Sequence, residues 1–269
     1  MDSRGVIQSL FGVPRALIGT IHAQALPGTP ASRLAVSEIA KAAAAEAEMY
    51  AAAGFHGLIL ENTHDRPYVK AAAIGPEIVA AMSIVGAEIR RASALPLGIQ
   101  VLAGANRAAV AVAHTCGAAF VRVEGFVFAH VADEGLIESS AGDLLRYRRA
   151  IGADGVLVFA DIKKKHSAHA ITADVDIAET AKAAEFFSVD GVIVSGMAPG
   201  SPAQPADVQA VSGVVGVPTI IGSGITAANL ASYRGADAFI IGSSVKSDGV
   251  WSGVLDAARI RAIVDALAS

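Results

Sequence analysis

Eight short runs of apolar residues recur along this chain of 269 residues, and each is followed by polar residues or glycine. An alanine-rich stretch of helical length usually comes next, so predicted strands and helices alternate. This alternation predicts a parallel sheet, because a parallel strand pair needs a crossover connection, usually a helix. The predicted strands are Ala16–Ile21, Gly57–Leu60, Leu97–Leu102, Ala119–Val123, Gly155–Ala160, Gly191–Val194, Thr219–Ile221 and Ala238–Ile241.

Eight strand–helix units favour a closed (β/α)8 TIM barrel, which typically needs about 250 residues. A doubly wound open sheet is the alternative, but it would usually carry Gly-x-Gly-x-x-Gly after the first strand. The sequence there is Gly19-Thr-Ile-His22, which lacks that pattern. No linker or change in composition divides the chain, so we predict a single TIM-barrel domain over residues 1–269.

Composition and charge exclude several classes of protein. The net charge is -4 and the basic residues are scattered, which gives no electrostatic footprint for nucleic acid. Cys116 is the only cysteine, so an internal disulfide and a cysteine zinc site are excluded, and a reducing cytoplasm is favoured. The longest uncharged stretch, between Asp207 and Arg234, is interrupted by Pro218 and several glycines. We expect a cytoplasmic homo-oligomer without integral membrane contact.

The last two predicted strands run into small residues, in Gly222-Ser-Gly224 and Gly242-Ser-Ser244. Glycine lets backbone N–H groups approach an anion, and serine adds hydroxyl donors. The loops after strands 7 and 8 frequently form the phosphate site of a TIM barrel. The alternative is that these glycines only make tight turns. The predicted phosphate-binding residues are Gly196, Gly222, Ser223, Gly224, Gly242, Ser243 and Ser244.

Charged residues collect instead at the ends of the first five predicted strands. Catalytic residues of TIM barrels lie at these carboxyl ends. Arg122 and Glu124 are two positions apart and therefore share a face, although they could form only a buried ion pair. The predicted catalytic residues are His22, Glu61, Arg122, Glu124, Asp161, Lys163 and His166.

Three consecutive lysines, Lys163, Lys164 and Lys165, follow the fifth predicted strand. Such a run is usually a solvated surface, but this one comes directly after a buried strand. Lys163 has the same parity as Asp161, so we predict that it points inward. Crowding and burial would lower the pKa of an inward lysine, as a Schiff-base or general-base lysine requires. Lys165 or Lys246 could instead balance the charge of a phosphate.

The carboxylates and histidines at these strand ends could also hold a divalent metal ion. Their spacing is not diagnostic, because barrel ligands come from separate strands. The sequence therefore assigns no metal ligands and indicates no cofactor, and a divalent metal stays an open alternative. The expected partner is a small phosphorylated substrate.

Several phrases resemble the BtpA/SgcQ family of TIM-barrel proteins. They are His22-Ala-Gln-Ala-Leu-Pro-Gly-Thr-Pro30, Glu61-Asn-Thr-His-Asp-Arg-Pro-Tyr68, Asp133-Glu-Gly-Leu-Ile-Glu138, Lys165-His-Ser167 and Gly242-Ser-Ser-Val-Lys-Ser-Asp-Gly249. The family is named for a factor required for photosystem I accumulation in cyanobacteria. Other members are similar to enzymes of sugar or nucleoside-related metabolism. The resemblance implies a TIM barrel over nearly the whole chain.

The chain departs from the family pattern at two strands. Members usually carry Asn-x-Leu-Arg-Asn-Asp on strand 3, where this sequence reads Gln100-Val-Leu-Ala-Gly-Ala105. After the arginine of strand 4 they usually carry Asn, where this chain has Glu124. These changes predict a substrate different from that of a typical member, and a role in photosystem assembly is not carried over.

Together these features predict an enzyme that acts on a sugar phosphate or a phosphoribosyl-type compound. Aldol-type cleavage or isomerisation is favoured, because both need a base and an oxyanion stabiliser beside a phosphate anchor. Hydrolysis or phosphorolysis of a glycosidic bond by paired carboxylates is one alternative. A non-catalytic assembly or stabilising factor is the other, and it predicts an exposed apolar surface.

Overall fold

The computed structural model describes residues 3–164, 166–196 and 202–268, and these form a closed barrel of eight parallel strands. Each strand pairs with the next along the chain, and the eighth pairs with the first. The predicted TIM barrel is confirmed. In chain order, β1 to β8 span Ala16–His22, Gly57–Glu61, Leu97–Gln100, Phe120–Val123, Leu157–Ile162, Gly191–Val194, Thr219–Ile221 and Ala238–Ile241.

All predicted strand boundaries lie within two residues of the observed ones, and the last three strands agree at both ends. The main difference is β5, which begins and ends two residues later than predicted. Asp161 and Ile162 pair with Ile193 and Val194 of β6, so the strand continues to the mouth of the barrel. Asp161 therefore lies within the strand, at a fixed position in the barrel wall.

Helices surround the barrel on the outside, but their order departs from strict alternation. After β7 the described residues contain only the short 3-10 turn Leu230–Ser232 instead of an α-helix. An additional helix, α1, precedes β1. The helices α1 to α8 span Ser3–Phe11, Val36–Ala52, Pro76–Ala92, Asn106–Cys116, Ala141–Ala150, Ile177–Phe186, Pro205–Ser212 and Ala257–Ala268.

Helix α1 closes the amino-terminal end of the barrel, a role that the sequence analysis did not predict. Ile7 and Phe11 are buried together with the apolar residues of the barrel interior. The Phe11 ring makes an edge contact with Phe120 of β4, with 5.8 Å between ring centroids. Because this end is filled with apolar side chains, the barrel is open only at the carboxyl ends of its strands.

The barrel interior has an apolar layer below a polar one, because side chains of a strand alternate in direction. The apolar layer contains Ile18, Ile59, Phe120, Phe159, Ile193, Ile220 and Ile240. Two positions further along each of these strands lie residues that are polar or lack a side chain. They are Thr20, Glu61, Arg122, Asp161, Ser195, Gly222 and Gly242.

A small antiparallel sheet lies beside the open end, and we call it the cap sheet. It is formed by His130–Ala132 and Gly135–Ile137, from the connection between β4 and α5, and by Ser167–Ala168, from the connection after β5. Asp133 and Glu134, at its hairpin turn, line the opening of the barrel. None of the helices in the described parts of the chain is long and apolar enough to cross a membrane.

Candidate active site

A cavity of about 1070 Å³ opens at the carboxyl ends of the strands. Most of the predicted site residues line it. On the side of β1 to β5 these are His22, Glu61, Arg122, Glu124, Asp161 and His166, and on the side of β7 and β8 they are Gly222, Ser223, Gly224, Gly242, Ser243 and Ser244. Gly196 lies beside this set, where its N–H donates to Ser223 Oγ at 3.4 Å. The fold thus brings both predicted groups to one cavity.

Arg122 is fixed at the centre of the charged side by two carboxylates. Its Nε and Nη2 donate to the two oxygens of Asp161 at 2.7 and 3.0 Å, and its Nη1 donates to Glu61 Oε1 at 3.2 Å. Burial alone would lower the pKa of Arg122, but Asp161 and Glu61 outweigh it and raise that pKa further. Arg122 is therefore a permanent, oriented cation, and its partners are Asp161 and Glu61 instead of Glu124.

The glycine at the end of β7 makes room for this guanidinium. A Cβ on Gly222 would lie 3.0 Å from Arg122 Nη2 and 2.6 Å from Ile193 Cγ2. Any larger residue would therefore displace the arginine or distort β6. The absence of a side chain at position 222 is thus required for the charged side of the cavity as well as for an open β7 loop.

Glu124 forms a second, separate pair with Lys164. Lys164 Nζ lies 3.1 Å from Glu124 Oε2, and both side chains are about one-tenth exposed, at 10% and 9%. Gln100 Nε2 donates to the other oxygen of Glu124 at 3.4 Å. Burial raises the pKa of Glu124, and Lys164 opposes that rise only in part. A carboxyl group with a raised pKa beside an ammonium group is suited to accept and return a proton.

The prediction that Lys163 points into the cavity is wrong. Its Nζ donates to the carbonyl of Thr172 at 3.1 Å, and its φ is 44°, outside the strand region. Because β5 ends at Ile162, strand alternation does not extend to Lys163, and Lys164 is the residue that faces the cavity. Lys165 lies outside the described residues.

Lys246 was the other proposed phosphate counter-charge, and the structure contradicts that role. The residue is 2% exposed and does not line the cavity. Its Nζ lies 3.6 Å from Glu46 Oε1 of α2. Lys246 thus balances a carboxylate behind the barrel wall.

The two predicted histidines occupy different depths. His22 Nδ1 lies 2.9 Å from the carbonyl oxygen of Trp251, and a carbonyl can only accept, so Nδ1 carries the hydrogen. This contact directs Nε2 towards Glu61, whose Oε2 is 3.9 Å away. His166 is exposed at the rim, with Nδ1 3.9 Å from Asp133 Oδ2. His22 is therefore the better placed of the two for proton transfer.

The sequence analysis did not predict the aromatic wall near His22. Trp251 packs against the guanidinium of Arg66 and the ring of His64, with 4.6 and 4.7 Å to its ring centroid. Burial, together with nearby cationic groups, lowers the pKa of His64 to about 4, so this ring is neutral at pH 7. Burial and the neighbouring Glu61 raise the pKa of Tyr68 to about 12. His64, Arg66 and Tyr68 lie in the family phrase that begins at Glu61, which was the available signal.

The loops after β7 and β8 offer few side chains to a ligand. Gly224 has a φ of 74°, a left-handed conformation that other residues rarely adopt. Ser244 lines the cavity, and its Oγ is buried with no hydrogen-bond partner among the described residues. Buried hydroxyl groups are normally paired, so this one has capacity to bind a ligand.

Metal binding has little support from the side chains themselves. No group of three or more His, Cys, Asp or Glu side chains suited to a metal ion occurs in the described part of the chain. Glu61 and Asp161, the most central carboxylates, instead accept hydrogen bonds from Arg122.

Two solved enzyme structures have a fold similar to that of this chain. Thiamine phosphate pyrophosphorylase from Pyrococcus furiosus superposes with a TM-score of 0.59 at 12% identity, over 95% of this chain and 96% of that chain. Phosphoribosyl anthranilate isomerase from Thermus thermophilus superposes with a TM-score of 0.57 at 15% identity, over 94% and 98%. At these identities the likeness extends to the TIM-barrel fold alone.

Sequence relatives give a closer relationship. An uncharacterized mitochondrial protein of Caenorhabditis elegans is 47% identical over 266 residues, which is 97% of this chain and 96% of the relative. The photosystem I biogenesis protein BtpA of Synechocystis is 34% identical over 260 residues, which is 96% and 90% of the two chains. The BtpA family model matches residues 13–269. The chain belongs to the BtpA family.

Proposed function

We propose that this protein is an enzyme that acts on a small phosphorylated metabolite, a sugar phosphate or a phosphoribosyl-type compound, as a lyase or an isomerase. One observation carries the proposal. The Glu124–Lys164 pair and the donor-rich loops after β7 and β8 face the same cavity. A substrate whose phosphate is bound by the loops would extend its carbon chain towards the pair.

The acid–base step is assigned to the charged side. Glu124, whose pKa burial raises, takes a proton from a carbon next to a carbonyl group, and Lys164 balances the carboxylate. Three of the five N–H groups of Arg122 donate to Asp161 and Glu61, and we assign the other two to the developing oxyanion. Glu124 then returns this proton to the adjacent carbon and is again a carboxylate. His22, oriented by Trp251, can take a hydroxyl proton of the substrate at Nε2 and give it to the neighbouring oxygen.

Phosphate binding is assigned to residues 222–224 and 242–244. Their backbone N–H groups and the unpaired Ser244 hydroxyl are neutral donors, which suit a phosphate group. The names of the two similar structures, a thiamine phosphate pyrophosphorylase and a phosphoribosyl anthranilate isomerase, refer to phosphorylated compounds and support this assignment.

A paired ligand screen tests the proposal. Three- to six-carbon sugar phosphates are compared with the corresponding free sugars by thermal shift, and stabilised samples are then examined for turnover. A ligand at about 100 times its Kd should stabilise the protein by about 2.7 kcal/mol. Stabilisation by the phosphates alone supports the proposal, and equal responses to both members of each pair would contradict it. Release of a free base from a phosphoribosyl compound would instead identify glycosidic cleavage.

Two adjacent lysines provide a matched test of the reacting end. Lys164→Met removes the partner of Glu124, whereas Lys163→Met removes a neighbouring lysine that contacts Thr172. We expect only the first to abolish turnover. Borohydride reduction during turnover, read by mass spectrometry, then separates the two lyase mechanisms. An adduct at Lys164 would identify a Schiff base, and turnover without any adduct would identify acid–base chemistry.

A non-catalytic assembly role is the second candidate, and one observation favours it. Phe186 at the end of α6 is 85% exposed and Phe187 is 48% exposed. Large exposed apolar side chains that lie together often mark protein contacts. The name of the Synechocystis relative, a photosystem I biogenesis protein, supports the same role. Phe186→Ser with Phe187→Ser should abolish partner or self-association under this candidate and leave turnover intact under the enzymatic one. Size-exclusion chromatography of the same variant tests the predicted homo-oligomer.

A further inference from the structure

A phosphate monoester brings close to two negative charges into the cavity, and the residues assigned to phosphate binding, 222–224 and 242–244, offer only neutral donors. Three other cationic side chains among the described residues of the cavity wall are already engaged. Arg122 pairs with Asp161 and Glu61, Lys164 lies beside Glu124, and Arg66 packs on the Trp251 ring. Anion binding in the loops therefore calls for a further cation, if the proposed function holds.

Helix α8 brings one arginine to this wall. Arg259, Ala262 and Ile263 line the cavity together with Gly224 and Ser244. Their spacing of i, i+3 and i+4 places the three residues on one face of the helix. Arg261 lies two positions from Arg259, is exposed, and does not line the cavity.

Arg259 is held only loosely where it is. Its Nε lies 3.7 Å from Asp256 Oδ2, and its side chain is 45% exposed. The other oxygen of Asp256 accepts the backbone N–H groups of Ala258 and Arg259, so Asp256 serves mainly to cap the helix. The guanidinium can therefore move to an anion in the loops without breaking a buried contact.

We propose that Arg259 is the counter-cation of the substrate phosphate, bound between α8 and the loops after β7 and β8. This inference rests on the proposed function and refines it. A guanidinium binds two phosphate oxygens at once, which favours a terminal phosphate monoester with exposed oxygens. Arg259 thus takes the role of phosphate counter-charge that the sequence suggested for Lys246.

The test compares Arg259→Gln with Arg261→Gln, two variants that lose the same charge from the same helix. Calorimetric titration with inorganic phosphate and with ribose 5-phosphate measures the Kd of each variant. We expect Arg259→Gln to raise both Kd values by about tenfold, as loss of a charge-assisted hydrogen bond would, and Arg261→Gln to change them by less than about twofold. Arg259→Lys should fall between the two, since it keeps the charge and loses the planar pair of donors.

Two outcomes would overturn the role of Arg259. Equal weakening in both variants would show a general charge effect, and an unchanged Kd in Arg259→Gln would show that the residue does not touch the anion. Gly224→Val serves as the reference for the loops. If it abolishes phosphate binding while Arg259→Gln does not, the proposed function stands and this inference fails. If the wild-type protein binds neither probe, both fail.

Discussion

On the side formed by β1 to β5, charged side chains line the cavity, whereas the loops directly after β7 and β8 line it with glycine and serine residues. Arg122, Asp161 and Glu61 hold one another through hydrogen bonds between 2.7 and 3.2 Å. Ser244 Oγ on the opposite side has no partner among the described residues. The first side is therefore preorganised before a ligand binds, and the second has donors left for one.

The two sides of the cavity therefore place different demands on the sequence. The charged side depends on particular side chains at particular strand positions, because removing one leaves another buried charge unpaired. The loop side depends on the absence of side chains, as at Gly224. Substitutions on the two sides should therefore fail in different ways, and the following predictions compare them in order of expected effect.

The largest effect is expected at Arg122. Arg122→Met leaves Asp161 and Glu61 as buried carboxylates without their cation, which should lower the free energy of unfolding by about 3–5 kcal/mol. Urea denaturation measures this loss. The control is Arg107→Met, which breaks an exposed pair with Asp143 and should cost at most about 1 kcal/mol. Similar losses in the two variants would show that the Arg122 network is not a buried, structural one.

Glu124→Gln should mainly affect catalysis. The change keeps the shape of the side chain and removes the proton acceptor, so turnover should fall by about 100-fold or more. Burial raises the pKa of Glu124 in the folded protein, so its ionisation makes folding less favourable as the pH rises through that pKa. Glu124→Gln removes this unfavourable ionisation but leaves the Lys164 ammonium without its carboxylate, so we expect a loss of stability smaller than that of Arg122→Met. Asp143→Asn, at an exposed position of α5 that does not line the cavity, is the control. A large fall in Tm with unchanged turnover would make Glu124 a structural residue.

Gly224→Val probes the loop side. Both Gly224 and Gly152 have a φ of 74°, so valine at either position introduces similar backbone strain, on the order of 1–3 kcal/mol. Only Gly224 lines the cavity. We expect both variants to lose similar stability, while only Gly224→Val raises the KM for a phosphorylated substrate, by about tenfold or more. Equal KM values would place the phosphate elsewhere.

The smallest effect is a pH dependence of stability that comes from two histidines, His64 and His130. Burial, aided by nearby cationic groups, lowers the pKa values of His64 and His130 from 6.5 to about 4. The unfolded chain therefore binds more protons between these values, and stability should fall as the pH drops from 6.5 towards 4. Urea denaturation at pH 7 and pH 5 measures the slope.

Two variants and a control show which histidines cause this pH dependence of stability. His64→Gln and His130→Gln should each flatten it, whereas His114→Gln, at an exposed position of α4, should leave it unchanged. An identical slope in all three variants would attribute the acid sensitivity to other groups.

The sequence was sufficient for the barrel because the relevant signal is local. Each buried strand is a short apolar run, and alternation along β2, β4 and β5 places Glu61, Arg122 and Asp161 in one layer. The same rule failed at Lys163, because it was extended past the last residue of β5.

Contacts between residues that are far apart in the chain leave no local pattern in the sequence. His22 and Trp251 are more than 200 residues apart in the chain, and their hydrogen bond follows from barrel closure between β1 and β8. Arg259 likewise reaches the cavity only because α8 packs beside the β8 loop. Neither Trp251 nor Arg259 lies in a recognised motif or at a predicted strand end, so the sequence did not indicate either one.

The central claim is that the cavity binds a phosphate at its β7–β8 side and directs the rest of the substrate towards Glu124. The most direct measurement is a crystal structure of the protein with ribose 5-phosphate bound. We expect phosphate density between residues 222–224 and residues 242–244, within hydrogen-bond distance of Ser244 Oγ, with the sugar extending towards Lys164. Phosphate density on the Arg122 side, or outside the cavity with the two loops unchanged, would contradict it.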